Sequence, residues 1–304
     1  MRRLVSYKPM RHEWGVLEGK EHDKMFWHED EIQLRDDIAQ FREMEEGLKR
    51  LITQILRVFT QSDQEVAGNY IQMLGLVENN EIRHMLLSFA AREVVHQRSY
   101  ALLTETLGLG DAEFEKWLEV KEMKEKLEIM SNLEDLESLV GSSAVFEGVS
   151  LFSAFVLLLN FQRFGLMLGT AKIVEFSVKD ENFHCSGMAK LYKNLGFSNA
   201  GKLKELMKEA VEKEDALLDY LYAAAAVEGE VVLGLKKSDL KQYMRYLADF
   251  RLKNLGIDAL YDVQEVPEGM NWIKWMLEQK SHTNFFESRV SDYAIGGLEG
   301  EYEY

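Results

Sequence analysis

The chain has 304 residues, with 36 Lys and Arg against 52 Asp and Glu, and its formal net charge of -16 argues against a nucleic-acid partner, because binding needs a basic face to release counterions and no Lys/Arg cluster stands out. Two prolines, Pro9 and Pro267, and a composition led by Leu, Glu, Lys, Met and Ala predict an all-α protein with one deep core. A single cysteine, Cys185, excludes a disulfide framework and fits a reducing cytosol.

The opening MRRLVSYKPMRHEW has no apolar signal segment, and the most apolar run, Val145 to Leu159, carries Glu147 and is short for a membrane span. A soluble, cytoplasmic protein is the expectation. In chain order, apolar residues at helical spacing predict helices over Asp36 to Val66, Asn80 to Leu107, Ala112 to Met130, Leu136 to Gly165, Thr170 to Gly196, Ala200 to Ala226 and Ser238 to Gly256. Clusters such as LGLGDAEF, LVGSS and LGFSNAGK punctuate them. The periodicity stops at Val266, and the end, YAIGGLEGEYEY, has the composition of a mobile tail. The expected organisation is a helical domain over residues 1–270 and a C-terminal segment with a flexible tail over 271–304.

Two Glu-x-x-His pairs lie on these helices, Glu93 with His96 and Glu181 with His184. Three-residue spacing puts both side chains on one face about a turn apart, where they can grip one metal ion. A third pair, Glu81 with His84, falls on another face and is read as a chance occurrence. The stripe around the first pair holds Leu86, Phe89, Ala90, Tyr100 and Leu103, and that around the second holds Val174, Val178, Met188 and Leu191. The carboxylates are therefore expected to be buried, and no Lys or Arg shares either stripe, so a metal would have to supply the compensating charge. One helical hairpin earlier in each case stands a further acid, Asp63 and Glu147. Taken singly, Asp63 also reads as a helix N-cap after Thr60, Gln61 and Ser62. Four carboxylates and two histidines balance two divalent ions, and hard oxygen donors with one imidazole per ion suit Fe(II) or Mn(II). Cys185 points away from His184 and reads as a core thiol.

These residues carry a resemblance. The string Glu93-Val-Val-His96-Gln-Arg-Ser-Tyr100 resembles the helix of class I ribonucleotide reductase small subunits, in which the tyrosine after the histidine holds a stable radical. Lys179-Asp180-Glu181-Asn-Phe-His184 looks like that family's second metal motif, and Phe26-Trp27 is similar to its aromatic connection to the metal site. Near the end, Asn284-Phe-Phe-Glu-x-Arg-Val-Ser-Asp-Tyr293 resembles the segment that passes the radical to the large subunit.

The resemblance implies a ferritin-like bundle with a dinuclear iron, manganese or mixed site held by Asp63, Glu93, His96, Glu147, Glu181 and His184. It implies a radical on Tyr100, and transfer through Trp27, Asp180 and Tyr293 to a large catalytic subunit that reduces ribonucleoside diphosphates. It also implies a homodimer, and leaves open the choice of metal and the need for an activating flavoprotein. Leu151 and Ser177 depart from the bulkier apolar residues the family often places near the tyrosine. Tyr100 excludes a branch with phenylalanine there, and Ser142 argues against the ligand-binding oxidase branch. From other classes, a ferroxidase or iron-storage protein, a dimetal oxygenase and a purely structural bundle remain as alternatives.

Overall fold

The computed structural model describes residues 6–131 and 133–274. Tyr293 and the tail motif lie outside the described residues. Among those described, ten α-helices account for nearly all regular structure, and the one sheet is a two-residue hairpin of β1 (Val231–Val232) and β2 (Leu235–Lys236).

The first helix, α1 (Glu13–Lys24), has no counterpart among the elements expected from periodicity. Its signal is a stripe of small residues rather than apolar ones. A Cβ on Gly15 would lie 2.6 Å from the Glu81 carbonyl oxygen, and one on Gly19 would lie 2.5 Å from the His84 ring. Both glycines thus let α1 lie directly on α4 (Asn80–Thr106). Glu81, set aside from the metal motifs, accepts from the backbone N–H of Arg11 at 2.7 Å and so anchors the entry to α1.

The single helix expected from Asp36 to Val66 is two. The backbone is extended at Met44 and Glu45, separating α2 (Arg35–Glu43) from α3 (Glu46–Leu76). The second of these outruns the expectation because Tyr70 and Met73 continue the buried face of Phe59, Asp63 and Val66. Asp63 therefore sits in the helix interior, which rules out the N-cap reading. The region expected as a helix from Ala112 begins instead as two short turns, Asp111–Phe114 and Lys116–Glu119, before α5 (Lys121–Ser131).

Leu136 to Gly165 was expected as one helix and forms α6 (Leu136–Val145), a π-helical turn (Phe146–Ser150) and α7 (Phe152–Gln162). By length and composition Leu136–Gln162 could cross a membrane, yet it is buried throughout and serves as the central core helix. Next come α8 (Leu168–Asn194), α9 (Ala200–Ala225) and α10 (Lys237–Leu255). Asp37 on α2 caps α8 from outside, accepting from Gly169 N at 3.0 Å and Thr170 N at 2.6 Å. Four elements form the inner layer: α3 runs beside α4, the α6 segment beside α8, and the two hairpins meet along α3–α6 and α4–α8.

Candidate metal centre

Each inner helix delivers one buried acid, and two of them add a histidine. Asp63 comes from α3, Glu93 and His96 from α4, and Glu181 and His184 from α8. Glu147 comes from the π turn. A π turn inserts a residue into the helical ladder and re-aims the side chains after it. The carbonyl of Gly148 within that turn accepts from Arg251 Nε at 3.2 Å, and a Cβ on Gly148 would meet the same side chain at 2.9 Å. Arg251 on α10 thus packs into the bulge that presents Glu147.

The six ligand candidates form two overlapping groups. Asp63, Glu93, His96 and Glu181 make one, and Glu93, Glu147, Glu181 and His184 make the other, with ligand atoms in each within 4.8 Å of one another. His96 Nδ1 lies 3.4 Å from Glu93 Oε2 and 3.1 Å from Glu181 Oε1. His184 Nδ1 lies 3.0 Å from Glu93 Oε1 and 3.4 Å from Glu181 Oε2. Each shared carboxylate therefore turns one oxygen toward each histidine, while Asp63 and Glu147 stand at opposite ends. Glu93 and Glu181 are thus common to both groups and could serve two neighbouring cations.

Asp63 Oδ2, both oxygens of Glu93 and of Glu181, and His96 Nδ1 are buried with no aligned hydrogen-bond partner. Close approach without alignment is what ligand atoms show when their lone pairs converge on a common point rather than on each other's protons. Since buried polar atoms are otherwise nearly always satisfied, the donor set fits a pair of hard divalent ions.

Charge within the bare site is settled by protons. Burial pushes Asp63 well above the usual carboxylate range and Glu147 up to about 8. At Glu93 burial acts the same way, but the close imidazoles of His184 and His96 outweigh it and hold the carboxyl down at about 2. Burial disfavours charge on His96 and His184 too, yet carboxylates on every side raise both well above 6.5. Bound cations must displace these protons.

Around the ligands stands a layer of partners. Asp180 is buried; Trp27 Nε1 donates to its Oδ2 at 2.7 Å, and His96 Nε2 lies 3.0 Å from the same oxygen. The expectation that no cation shares these faces needs correction: Arg92, next to Glu93, is buried and donates to Asp180 Oδ1 at 2.9 Å. Burial alone would raise the Asp180 carboxyl, but Arg92 and the neighbouring imidazoles hold it well below the normal range. Trp27, Asp180 and His96 thus form one continuous buried contact, with the indole and imidazole rings stacked at 5.9 Å.

Tyr100 is buried beside Phe59, with ring centroids 4.6 Å apart, and its hydroxyl donates to Ser177 Oγ at 2.9 Å. Burial and the nearby Asp63 raise its pKa well above 10, so the phenol keeps its proton. Ser177, a departure from the family pattern in sequence, is the phenol's hydrogen-bond partner. Cys185 is buried, its thiol pushed up to about 12, chiefly by burial, and it belongs to neither ligand group.

Sequence reasoning missed two residues here. Tyr70 donates to both oxygens of Glu147, at 2.9 and 2.8 Å; its position two turns past Asp63 on the same face was the available signal. His22 reaches His184 from α1, Nε2 to Nε2, at 3.2 Å. Its signal was only the i, i+4, i+7 stripe Gly15, Gly19, His22.

The family described as ribonucleotide reductase, small chain, matches residues 4–267. A probable ribonucleoside-diphosphate reductase small subunit of Invertebrate iridescent virus 3 is 32% identical, with 98% of this chain and 86% of that protein aligned. The ribonucleotide reductase R2 subunit from Clostridium botulinum has the same fold, with a TM-score of 0.79 at 21% identity over 90% of this chain and 91% of that one. A dimanganese(II) protein of Streptococcus sanguinis superposes with a TM-score of 0.75 at 17% identity over 88% and 99% of the two chains. With a matched family spanning most of its length and a ferritin-like bundle around a buried cluster of carboxylates and histidines that could hold metal, the chain belongs to the ribonucleotide reductase small-chain family, the small subunits of ribonucleoside-diphosphate reductase.

Proposed function

We propose that Asp63, Glu93, His96, Glu147, Glu181 and His184 hold two iron or manganese ions, and that Tyr100 carries the radical which the large subunit uses to reduce ribonucleotides. The observation that carries this is the pair of shared carboxylates, Glu93 and Glu181, each presenting one oxygen toward each histidine. When bound, the ions supply the one-electron oxidising power, drawn from oxygen, that no side chain possesses. Both metals suit this donor set, and the Streptococcus sanguinis relative is a dimanganese(II) protein.

The side chains do the rest. Asp180 fixes His96 with Nε2 protonated, leaving Nδ1 free for a metal. The aromatic wall of Phe59 and Phe155 beside Tyr100 excludes water from the phenol. Because Tyr100 holds its proton, losing an electron obliges it to release that proton as well, and Ser177 Oγ is placed to accept its hydrogen bond. Trp27, Asp180 and His96 give the oxidising equivalent a buried route from the ligand shell toward α1 and the surface.

Tyr293, known here from sequence alone, takes it onward to the large subunit, and residues 298–304 dock there by ordering against a basic groove. The working assembly is a cytosolic homodimer with that subunit. The test is to load metal-free protein with Fe(II) or Mn(II) and suitable oxidants, and to record metal content and EPR spectra. About two ions per chain and a tyrosyl signal absent from Tyr100→Phe are expected; two bound ions with no such signal would place the radical elsewhere. Tyr293→Phe should keep metal and partner binding yet lose nucleotide reduction, and normal turnover would send the relay through Tyr302 or Tyr304.

A further inference from the structure

The two histidine ligands have unlike outer partners. His96 turns its Nε2 to a carboxylate, Asp180, whereas His184 turns its Nε2 to another imidazole, His22, 3.2 Å away. His22 is buried on α1, stacked on Phe183 with centroids 5.4 Å apart and met edge-on by Phe89 at 5.1 Å. Its Nδ1 lies 2.9 Å from Ser88 Oγ, and the Ser88 hydroxyl lies 3.4 Å from Oδ1 of the exposed Asp23.

Asp180 Oδ1, held by Arg92 at 2.9 Å, also lies 3.6 Å from His22 Nε2, farther than His184 Nε2 at 3.2 Å, so the closer imidazole contact sets the order of protons. His184 Nδ1 faces Glu93, Glu147 and Glu181, so as a ligand it must keep that lone pair for the ion. Its Nε2 then carries hydrogen and can only donate. The facing Nε2 of His22 must therefore be bare, which puts the His22 hydrogen on Nδ1, where it donates to Ser88 Oγ. That leaves the serine hydroxyl hydrogen to point at Asp23. Reversing His184 or His22 would set two N–H groups, or two lone pairs, against each other between two buried rings.

We infer that His22 is a positioning residue for the metal position served by His184, fixing the tautomer and plane of that ligand through an outward-directed chain His184, His22, Ser88 and Asp23. This rests on the dimetal reading. It makes the two positions unequal: one histidine leans on a charged partner that Arg92 compensates, the other on a neutral ring whose orientation depends on α1. The close approach at Gly15 and Gly19 holds α1 near enough for His22 to reach.

The test uses the full chain, metal-free, titrated with Co(II) and followed by calorimetry and visible absorption. Wild type should take two ions. His22→Leu should keep one at wild-type affinity and bind the second about 10- to 100-fold more weakly, the usual cost of losing an outer hydrogen-bond partner. His22→Gln should recover most of that loss, since its amide oxygen can accept from His184 Nε2 and its amide nitrogen can donate to Ser88. Unchanged affinities in His22→Leu, or equal losses in the Leu and Gln variants, would overturn the inference. NMR of 15N-histidine-labelled wild type loaded with Zn(II) reads the tautomer without any substitution: hydrogen on His22 Nδ1 supports the assignment, and hydrogen on Nε2 overturns it. Wild type that fails to take two ions would instead overturn the dimetal reading, and this inference with it.

Discussion

Two clusters of buried charge among the described residues differ in how their charge is closed. At the first, Lys126 on α5 meets Glu214 on α9 at 2.5 Å, and the Ser153 hydroxyl donates to the same carboxylate. One cation answers one anion. At the second, four carboxylates share the interior with two histidines, and the buried guanidinium of Arg92, next to Glu93, is committed to Asp180. Burial raises Glu214 above the ordinary carboxylate range while Lys126 opposes it, so the pair closes its own charge. A buried carboxylate is therefore no sign of a metal by itself; the sign is carboxylate charge in excess of every fixed cation within reach.

Breaking each cluster should separate the two roles. Glu93→Ala or Glu181→Ala removes a carboxylate common to both ion positions, so metal content measured by elemental analysis should fall from about two per chain to near none. Full occupancy in both variants would sink the shared-ligand geometry. Lys126→Met should leave metal content alone but strand Glu214, lowering the unfolding free energy by about 3–5 kcal/mol in denaturant titrations. Loss of metal in that variant would show that the clusters are not independent.

Acidity offers a second contrast. Folded and metal-free, Glu147 keeps its proton up to about 8 against 4.5 for the ordinary carboxyl, and His96 and His184 hold theirs well above 6.5. Between pH 5 and 8 the folded state thus binds more protons than the unfolded one, and the stability of the metal-free protein should fall as pH rises. Glu93, held at about 2, acts the opposite way only in more acid solution: its contribution is present above 4.5 and lost as pH falls toward 2. Ion affinity should climb over the pH 5 to 8 window, about tenfold per pH unit for each proton displaced. Thermal melts at pH 5.5 and 8, with and without metal, check both slopes; a metal-free protein more stable at pH 8 would contradict the proton placement.

The smallest effect is expected at Tyr70. Tyr70→Phe removes both phenol hydrogen bonds to Glu147, with an expected cost of about 1–3 kcal/mol in stability and a loss of about tenfold in metal affinity. A variant indistinguishable from wild type on both counts would show that Arg251 and the π turn alone aim Glu147.

What the sequence determined by itself was local. Two Glu-x-x-His pairs on apolar stripes, with an acid one hairpin before each, are readable because a helix turns spacing into distance without help from the rest of the chain. Burial of the six candidates followed from the same stripes, as did the long α4, α8 and α9. Tertiary structure decided the rest. The π turn at Glu147 depends on Arg251 from α10, far along the chain, to occupy the bulge. Whether α1 forms and where it docks depends on two glycines whose message is closeness rather than hydrophobicity, and periodicity does not register an absent side chain. Arg92 reads as a surface residue beside Glu93 until α8 brings Asp180 to it. His22 and Tyr70 look like ordinary core aromatics until the fold brings a ligand within hydrogen-bond reach of each. Contacts of that kind are set by which faces of distant helices meet, and only the folded chain specifies that.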